Sequence, residues 1–172
     1  EKVENLPADF ILGMDASCVP ALEAGGVRYY DADGTEQDVF QILSDYGINY
    51  IRVRVWNDPF DADGNGYGGG NCDIDDAVEI GKRATQYGMK LLVNFHYSDF
   101  FADPSRQNIP VEWADYNLAQ MKQAVANHTT EVLSALKAEG VTPEWIQVGN
   151  ETRNGMLWPM GQLWNNNGDL PN

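Results

Sequence analysis

The chain has 172 residues, a length that suits one domain. Hydrophobic residues make up 43% and charged residues 22%, a globular composition rather than a disordered one. With 26 acidic against 11 basic side chains the formal charge is −15, so the surface repels nucleic acids and anionic membranes and suits an uncharged substrate.

The elements are read in chain order. The N-terminal run Glu1-Lys2-Val3-Glu4-Asn5 lacks the apolar core of a signal peptide and reads as a mature end after cleavage. Residues 10–15 form a short apolar run ending in Asp15, expected to be a strand. Thr35 is the expected cap of a first helix, in which Val39, Phe40, Leu43 and Tyr46 recur at helical spacing and Gly47 supplies the stop. Residues 48–55 alternate as a second strand, with Ile51, Val53 and Val55 on one face and Tyr50, Arg52 and Arg54 on the other. Two arginines on the inner face of a strand are costly unless they meet carboxylates or a polar cavity. Residues 64–70 are glycine-rich but lack the Lys-Ser/Thr ending of a phosphate loop, and read as an irregular surface loop.

A second helix is expected over 73–88 and a third strand over 89–96, where Leu92, Asn94 and His96 share a face. A longer helix over 117–138 carries the stripe Leu118, Met121, Val125, His128, Val132 and Leu136, which makes His128 a core or boundary histidine. Residues 145–151 are expected to be a fourth strand, with Gln147, Gly149 and Glu151 on one face. No apolar run approaches the roughly 18 residues of a membrane span. There is no HExxH, CxxC or EF-hand pattern, so neither a protein-built metal site nor a cofactor is expected. Cys18 and Cys72 are too few for a disulfide scaffold. They should lie close together on the loops after the first two strands, leaving a single disulfide open.

Alternating strands and helices imply right-handed parallel crossovers in an α/β fold. Asp15, Arg52, Arg54, Asn94, His96 and Glu151 all fall on or at the carboxyl ends of strands, where (β/α)8 barrels keep their catalytic groups. Such a barrel needs about 250 residues. Four strands are half of one.

Several long motifs carry a resemblance. Residues 47–59, Gly-Ile-Asn-Tyr-Ile-Arg-Val-Arg-Val-Trp-Asn-Asp-Pro, resemble the second-strand motif of glycoside hydrolase family 53, the endo-β-1,4-galactanases. Asn94-Phe95-His96-Tyr97-Ser98-Asp99, continued by Ala102-Asp103-Pro104, resembles its third-strand motif. Val148-Gly149-Asn150-Glu151-Thr152 and Gly155-Met156-Leu157-Trp158-Pro159 resemble its fourth-strand end and following loop. The likeness runs from about residue 11 to 158 with the motifs in order. Three positions depart from the family's habit: Phe101 stands where a Trp is usual, Asn94 where an Asp is common, and Arg153 where many members have Asn.

The resemblance implies a TIM (β/α)8 barrel of which residues 1–172 are the N-terminal part of a single catalytic domain, covering about the first four strands. It implies a secreted enzyme, extracellular or periplasmic and bacterial, that cleaves internal bonds of β-1,4-galactan in type I arabinogalactan, a pectin side chain, with retention of configuration. Glu151 would be the acid/base, with Asn150 on the sugar 2-hydroxyl, Arg52 on the nucleophile and His96 orienting or relaying near it. Trp56 and Trp158 would stack on galactose rings, and Asp15, Asn94, Tyr97 and Asp99 would complete the substrate-binding set. The family's nucleophile, a glutamate ending the seventh strand, would fall outside this chain, as would the calcium site of some members. Two other readings stay open: a noncatalytic carbohydrate-binding module using the same aromatics, and a half-barrel that self-associates or pairs with a C-terminal half.

Overall fold

The computed structural model describes residues 5–7 and 9–164. The N-terminal run 1–4 lies outside them. Four strands, β1 (Gly13–Asp15), β2 (Tyr50–Val55), β3 (Lys90–Phe95) and β4 (Trp145–Val148), form one sheet in the order β1-β2-β3-β4, every neighbour parallel. Four helices connect them: α1 (Val19–Ala24), α2 (Val39–Asp45), α3 (Ile74–Gln86) and α4 (Leu118–Ala138). Sequential order in an all-parallel sheet is the start of a barrel rather than of a doubly wound fold, whose order reverses at a switch point.

Capping explains most helix boundaries. Asp73 accepts from Asp76 N at the start of α3, and Asn117 forms a reciprocal capping box with Gln120 at the start of α4. The first helix of residues 35–47 differs from expectation. Asp38, not Thr35, is the cap of α2, accepting from Phe40 N at 2.8 Å. The Thr35 N–H is already taken by Asp31 Oδ1 in an Asp-Ala-Asp-Gly turn. α1, only six residues long, was too short for the periodic pattern to reveal. β1 is shorter than residues 10–15 suggest. The Asn49 side chain bonds Leu12 N and Phe10 O there, standing in for a ladder.

The alternation of β2 is realised. Ile51, Val53 and Val55 are fully buried beneath α3, with Leu91, Val93 and Phe95 of β3 beside them and Ala77, Ile80 and Ala84 of the helix above. Each large aliphatic side chain buried this way is worth about 1.5–3 kcal/mol. Arg83 of α3 joins the first three helices, pairing with Glu23 at 2.7 Å and Asp38 at 2.9 Å over the ring of Phe40. At both sheet edges apolar side chains remain exposed, Met14 on β1 and Trp145, Ile146 and Val148 on β4. No helix among the described residues is long and apolar enough to cross a membrane.

Candidate active site

β2 and β3 end level with each other, which brings their inward polar residues to one place. Asp15 lies opposite Arg52 in register, and Arg54, Asn94 and Gln147 form the next row. Arg52 ties these rows together. Its guanidinium bonds the Asp15 carboxylate, Asn94 Oδ1 at 2.7 Å and Asn150 Oδ1 at 3.0 Å. Asn94 in turn donates to Gly149 O at 2.9 Å, and Asn150 donates to Ala102 O at 2.8 Å. One N–H of the Asn150 amide is left over.

Above this network is an open cavity of about 510 Å³ lined by Asp15, Cys18, Arg52, Arg54, His96, Phe101, Asn150 and Glu151. Glu151 reaches it by a backbone turn, not by strand parity. β4 ends at Val148, and Gly149 (φ 76°) and Glu151 (φ 51°) are both left-handed. A Cβ at Gly149 would meet Thr152 Cγ2 at 2.3 Å, so the turn requires glycine. Gln107 braces the turn from below, donating to Asn150 O at 2.8 Å. The Glu151 side chain is exposed, and among the described residues no donor reaches its carboxylate.

His96 is 1% exposed. Its Nδ1 accepts from Ala102 N at 3.1 Å, which assigns the proton to Nε2, an atom with no partner among the described residues. Burial, with the Arg52 and Arg54 charges, pushes its pKa down to about 3, so the ring is neutral. For Asp15, burial opposes ionisation, but bonds from Ser17 and the Arg54 and Arg52 charges outweigh it and hold the carboxyl below its usual range.

Several expected substrate contacts lie elsewhere. Trp56 is fully buried, packed against Phe100, Phe101 and His96, and offers no face to a sugar. Tyr97 is 2% exposed, stacked on Phe95 and bonded to Thr129 of α4, because its left-handed backbone (φ 53°) turns it away from the cavity. Asp99 is a loop clamp, accepting from Asp58 N and Val111 N. Asn94 is wholly buried and supports Arg52 from beneath. Trp158 is half-buried outside the cavity lining, its Nε1 bonded to Asn154 O.

Three lining residues were absent from the expected set. Arg54 is 8% exposed, its guanidinium 4.7 Å from the Phe101 ring centre and its Nη2 bonded to Gly69 O and Cys18 Sγ. The alternation of β2 had placed it on this face. Phe101 was marked only through the resemblance, as the residue at a usual Trp position, and nothing marked Cys18 as a lining residue. The glycine-rich loop is largely exposed, as expected of a surface loop, and only its end packs behind the cavity residues, where Gly69 O accepts from Arg54 Nη2 at 3.2 Å and Cys18 Sγ at 3.3 Å. A Cβ on Gly70 (φ 101°) would lie 2.7 Å from Ser17 O. Cys18 and Cys72 are neighbours here, as the loop argument required, and both are free thiols. No group of three His, Cys, Asp or Glu side chains among the described residues is placed to hold a metal.

Comparison with known proteins supplies the lineage. The family model Glycosyl hydrolase family 53 matches residues 11–171. The chain is 50% identical to an endo-beta-1,4-galactanase of Bacillus subtilis, over 96% of its own length and 40% of that protein's. Among solved structures, the GH53 catalytic domain of Ignisphaera aggregans superposes with a TM-score of 0.91 at 44% identity, covering 94% of this chain and 45% of that one. A fungal β-1,4-galactanase superposes with a TM-score of 0.78 at 36% identity, over 89% and 43% of the two chains. The chain therefore spans somewhat under half the length of these relatives, and its four parallel strands correspond to about half of a (β/α)8 barrel. With the family pattern running through all but the first ten residues and the last, this protein belongs to glycosyl hydrolase family 53.

Proposed function

We propose that this chain carries the acid/base half of an endo-acting, retaining glycoside hydrolase that cleaves β-1,4-galactan. The observation that carries the reading is the Arg52 clamp, which holds Asp15, Asn94 and Asn150 around one open cavity beside an unencumbered Glu151 carboxyl. Binding alone would not need a free carboxylic acid set next to an amide fixed at both ends. The names of the relatives support galactan as the substrate.

Each role follows from atoms. Glu151 protonates the departing glycosidic oxygen and then, as a carboxylate, takes a proton from the incoming water. A retaining mechanism requires a second carboxylate about 5–5.5 Å away to attack the anomeric carbon. That nucleophile would come from sequence beyond these 172 residues, in the barrel half they do not include. Asn150 has one N–H left for the sugar 2-hydroxyl, a contact that strengthens at the transition state. His96 is a fixed Nε2–H donor toward a substrate hydroxyl or the incoming nucleophile, and its neutral tautomer argues against a proton relay. Phe101, at the position where the family usually has Trp, offers an apolar face for the sugar C–H groups, a smaller one than Trp would give, while Trp56 is buried behind it. The reaction needs no cofactor. We place the enzyme outside the cell, where its polymer is found.

The test is Glu151→Gln in the complete enzyme, assayed by reducing-sugar release from β-1,4-galactan. Loss of turnover by about 1,000-fold or more, with galactan binding kept, is expected. Turnover within tenfold of the parent would overturn the assignment.

A further inference from the structure

A second polar groove, sharing no residue with the catalytic cavity, runs along α4. It has a volume of about 450 Å³. One wall is a stripe of α4 side chains, Gln123, Asn127 and Glu131 at four-residue spacing with His128 beside Asn127. The opposite wall is Asn57 with Glu112, Trp113 and Tyr116. We propose that this groove is a second carbohydrate-binding site, which grips a neutral stretch of the galactan chain away from the point of cleavage. The proposal rests on the reading of galactan as substrate.

The chemistry of the lining selects the ligand. The groove contains no Lys or Arg, which excludes phosphates and uronates. Its carboxylates and histidine do not form a metal cluster. What remains is amides, carboxylates and the half-buried ring of Tyr116, with Trp113 buried behind, a set that meets sugar hydroxyls and offers one C–H face. The polar groups are fixed but not used up. Glu112 Oε2 accepts from Asn57 Nδ2 at 3.3 Å and from Trp113 Nε1 at 3.2 Å, which immobilises the carboxylate and leaves Oε1 as an acceptor. Gln123 Nε2 donates to Asn127 Oδ1 at 2.8 Å, leaving the Asn127 N–H groups and Gln123 Oε1. His128 is 5% exposed among Phe95, Tyr97 and Trp113, and its Nε2 has no partner among the described residues. A buried polar atom left unpaired is costly, and a ligand hydroxyl in the groove gives this ring a polar neighbour.

The test uses the complete enzyme made uncleaving by Glu151→Gln, in native gels containing soluble β-1,4-galactan. The double variant Gln123→Ala/Asn127→Ala and the single variant Glu131→Gln, all at exposed positions, are compared with that parent. Retardation by galactan should weaken about fivefold or more in the double variant and less in Glu131→Gln, about one hydrogen bond's worth per deleted group. The same substitutions in the active enzyme should leave kcat/KM on a short chromogenic galacto-oligosaccharide unchanged. Unchanged retardation in the double variant overturns the proposal, as does retardation of the parent by polygalacturonate but not by galactan. Failure of the catalytic reading is seen separately, as turnover that survives Glu151→Gln.

Discussion

Arg52 Nη2 donates to Asn150 Oδ1 at 3.0 Å, joining the middle of β2 to the turn that presents Glu151. The same nitrogen holds Asn94 at 2.7 Å, and the rest of the guanidinium reaches Asp15. A planar fork with several donors is what such a junction needs, and a lysine ammonium cannot span it. Arg52→Lys in the complete enzyme should therefore lower kcat about 100-fold or more, with the larger part of the loss in kcat rather than KM. Measured kcat within fivefold of the parent would show that Asn150 is held without Arg52.

Much of this was legible in the sequence. Period-two alternation fixed the inward face of β2 because Ile51, Val53 and Val55 must be buried, which leaves Arg52 and Arg54 only the barrel side. The strand ends were legible for the same reason. Aromatic roles were not. Trp56 directly follows β2 and Phe101 lies in the loop six residues past β3, and only three-dimensional packing decides that Trp56 lies under Phe101 and faces the core. Tyr97 and Asp99 were misplaced because strand parity stops where β3 ends at Phe95 and a left-handed residue follows. Glu151 was correctly placed in the cavity by an argument from parity that the chain does not obey, since β4 ends three residues earlier.

The buried, neutral His96 gives stability a pH dependence. Its folded pKa, about 3, lies below the ordinary value of 6.5. The folded state thus resists a proton that the unfolded chain accepts. Stability from this group is complete above pH 6.5 and is lost as pH falls toward 3, by up to about 1.4 kcal/mol per pH unit. His96→Gln should flatten the fall in melting temperature between pH 6.5 and 4.5 while lowering kcat. A melting profile of the same steepness in both proteins would show that His96 is protonated in the fold.

The two thiols should react very differently. Cys72 is fully buried, donates to Ser17 O and has its pKa pushed up to about 12, chiefly by burial. Cys18 lines the catalytic cavity and touches Arg54. In the native protein a disulfide-type thiol reagent should label Cys18 first, and Cys72 only after denaturation. A galacto-oligosaccharide in the cavity should slow the Cys18 reaction. Finding no free thiol in denaturant without reductant would mean that the two are joined after all.

The sheet edges lead to the last expectation. β1 and β4 each have one neighbour, and their flanks expose apolar side chains. Met14 is 49% exposed, Trp145 49% and Val148 60%. A barrel has no edges, because the last strand pairs with the first and helices cover the outside. A parallel sheet left open on both sides presents unpaired N–H and C=O groups beside those apolar surfaces, a template for pairing with another chain. The 172-residue chain made alone should therefore self-associate, and its retention in size-exclusion chromatography with light scattering should report dimers or larger species at micromolar concentration. It should release no reducing sugar from β-1,4-galactan, because Glu151 would have no opposing carboxylate to attack the anomeric carbon. Met14→Lys and Val148→Lys, which charge the two edges, should shift it toward monomer without restoring turnover. A monomer that hydrolyses galactan robustly would sink the idea, and would require a nucleophile among its own cavity carboxylates, with Asp15 the one nearest to hand.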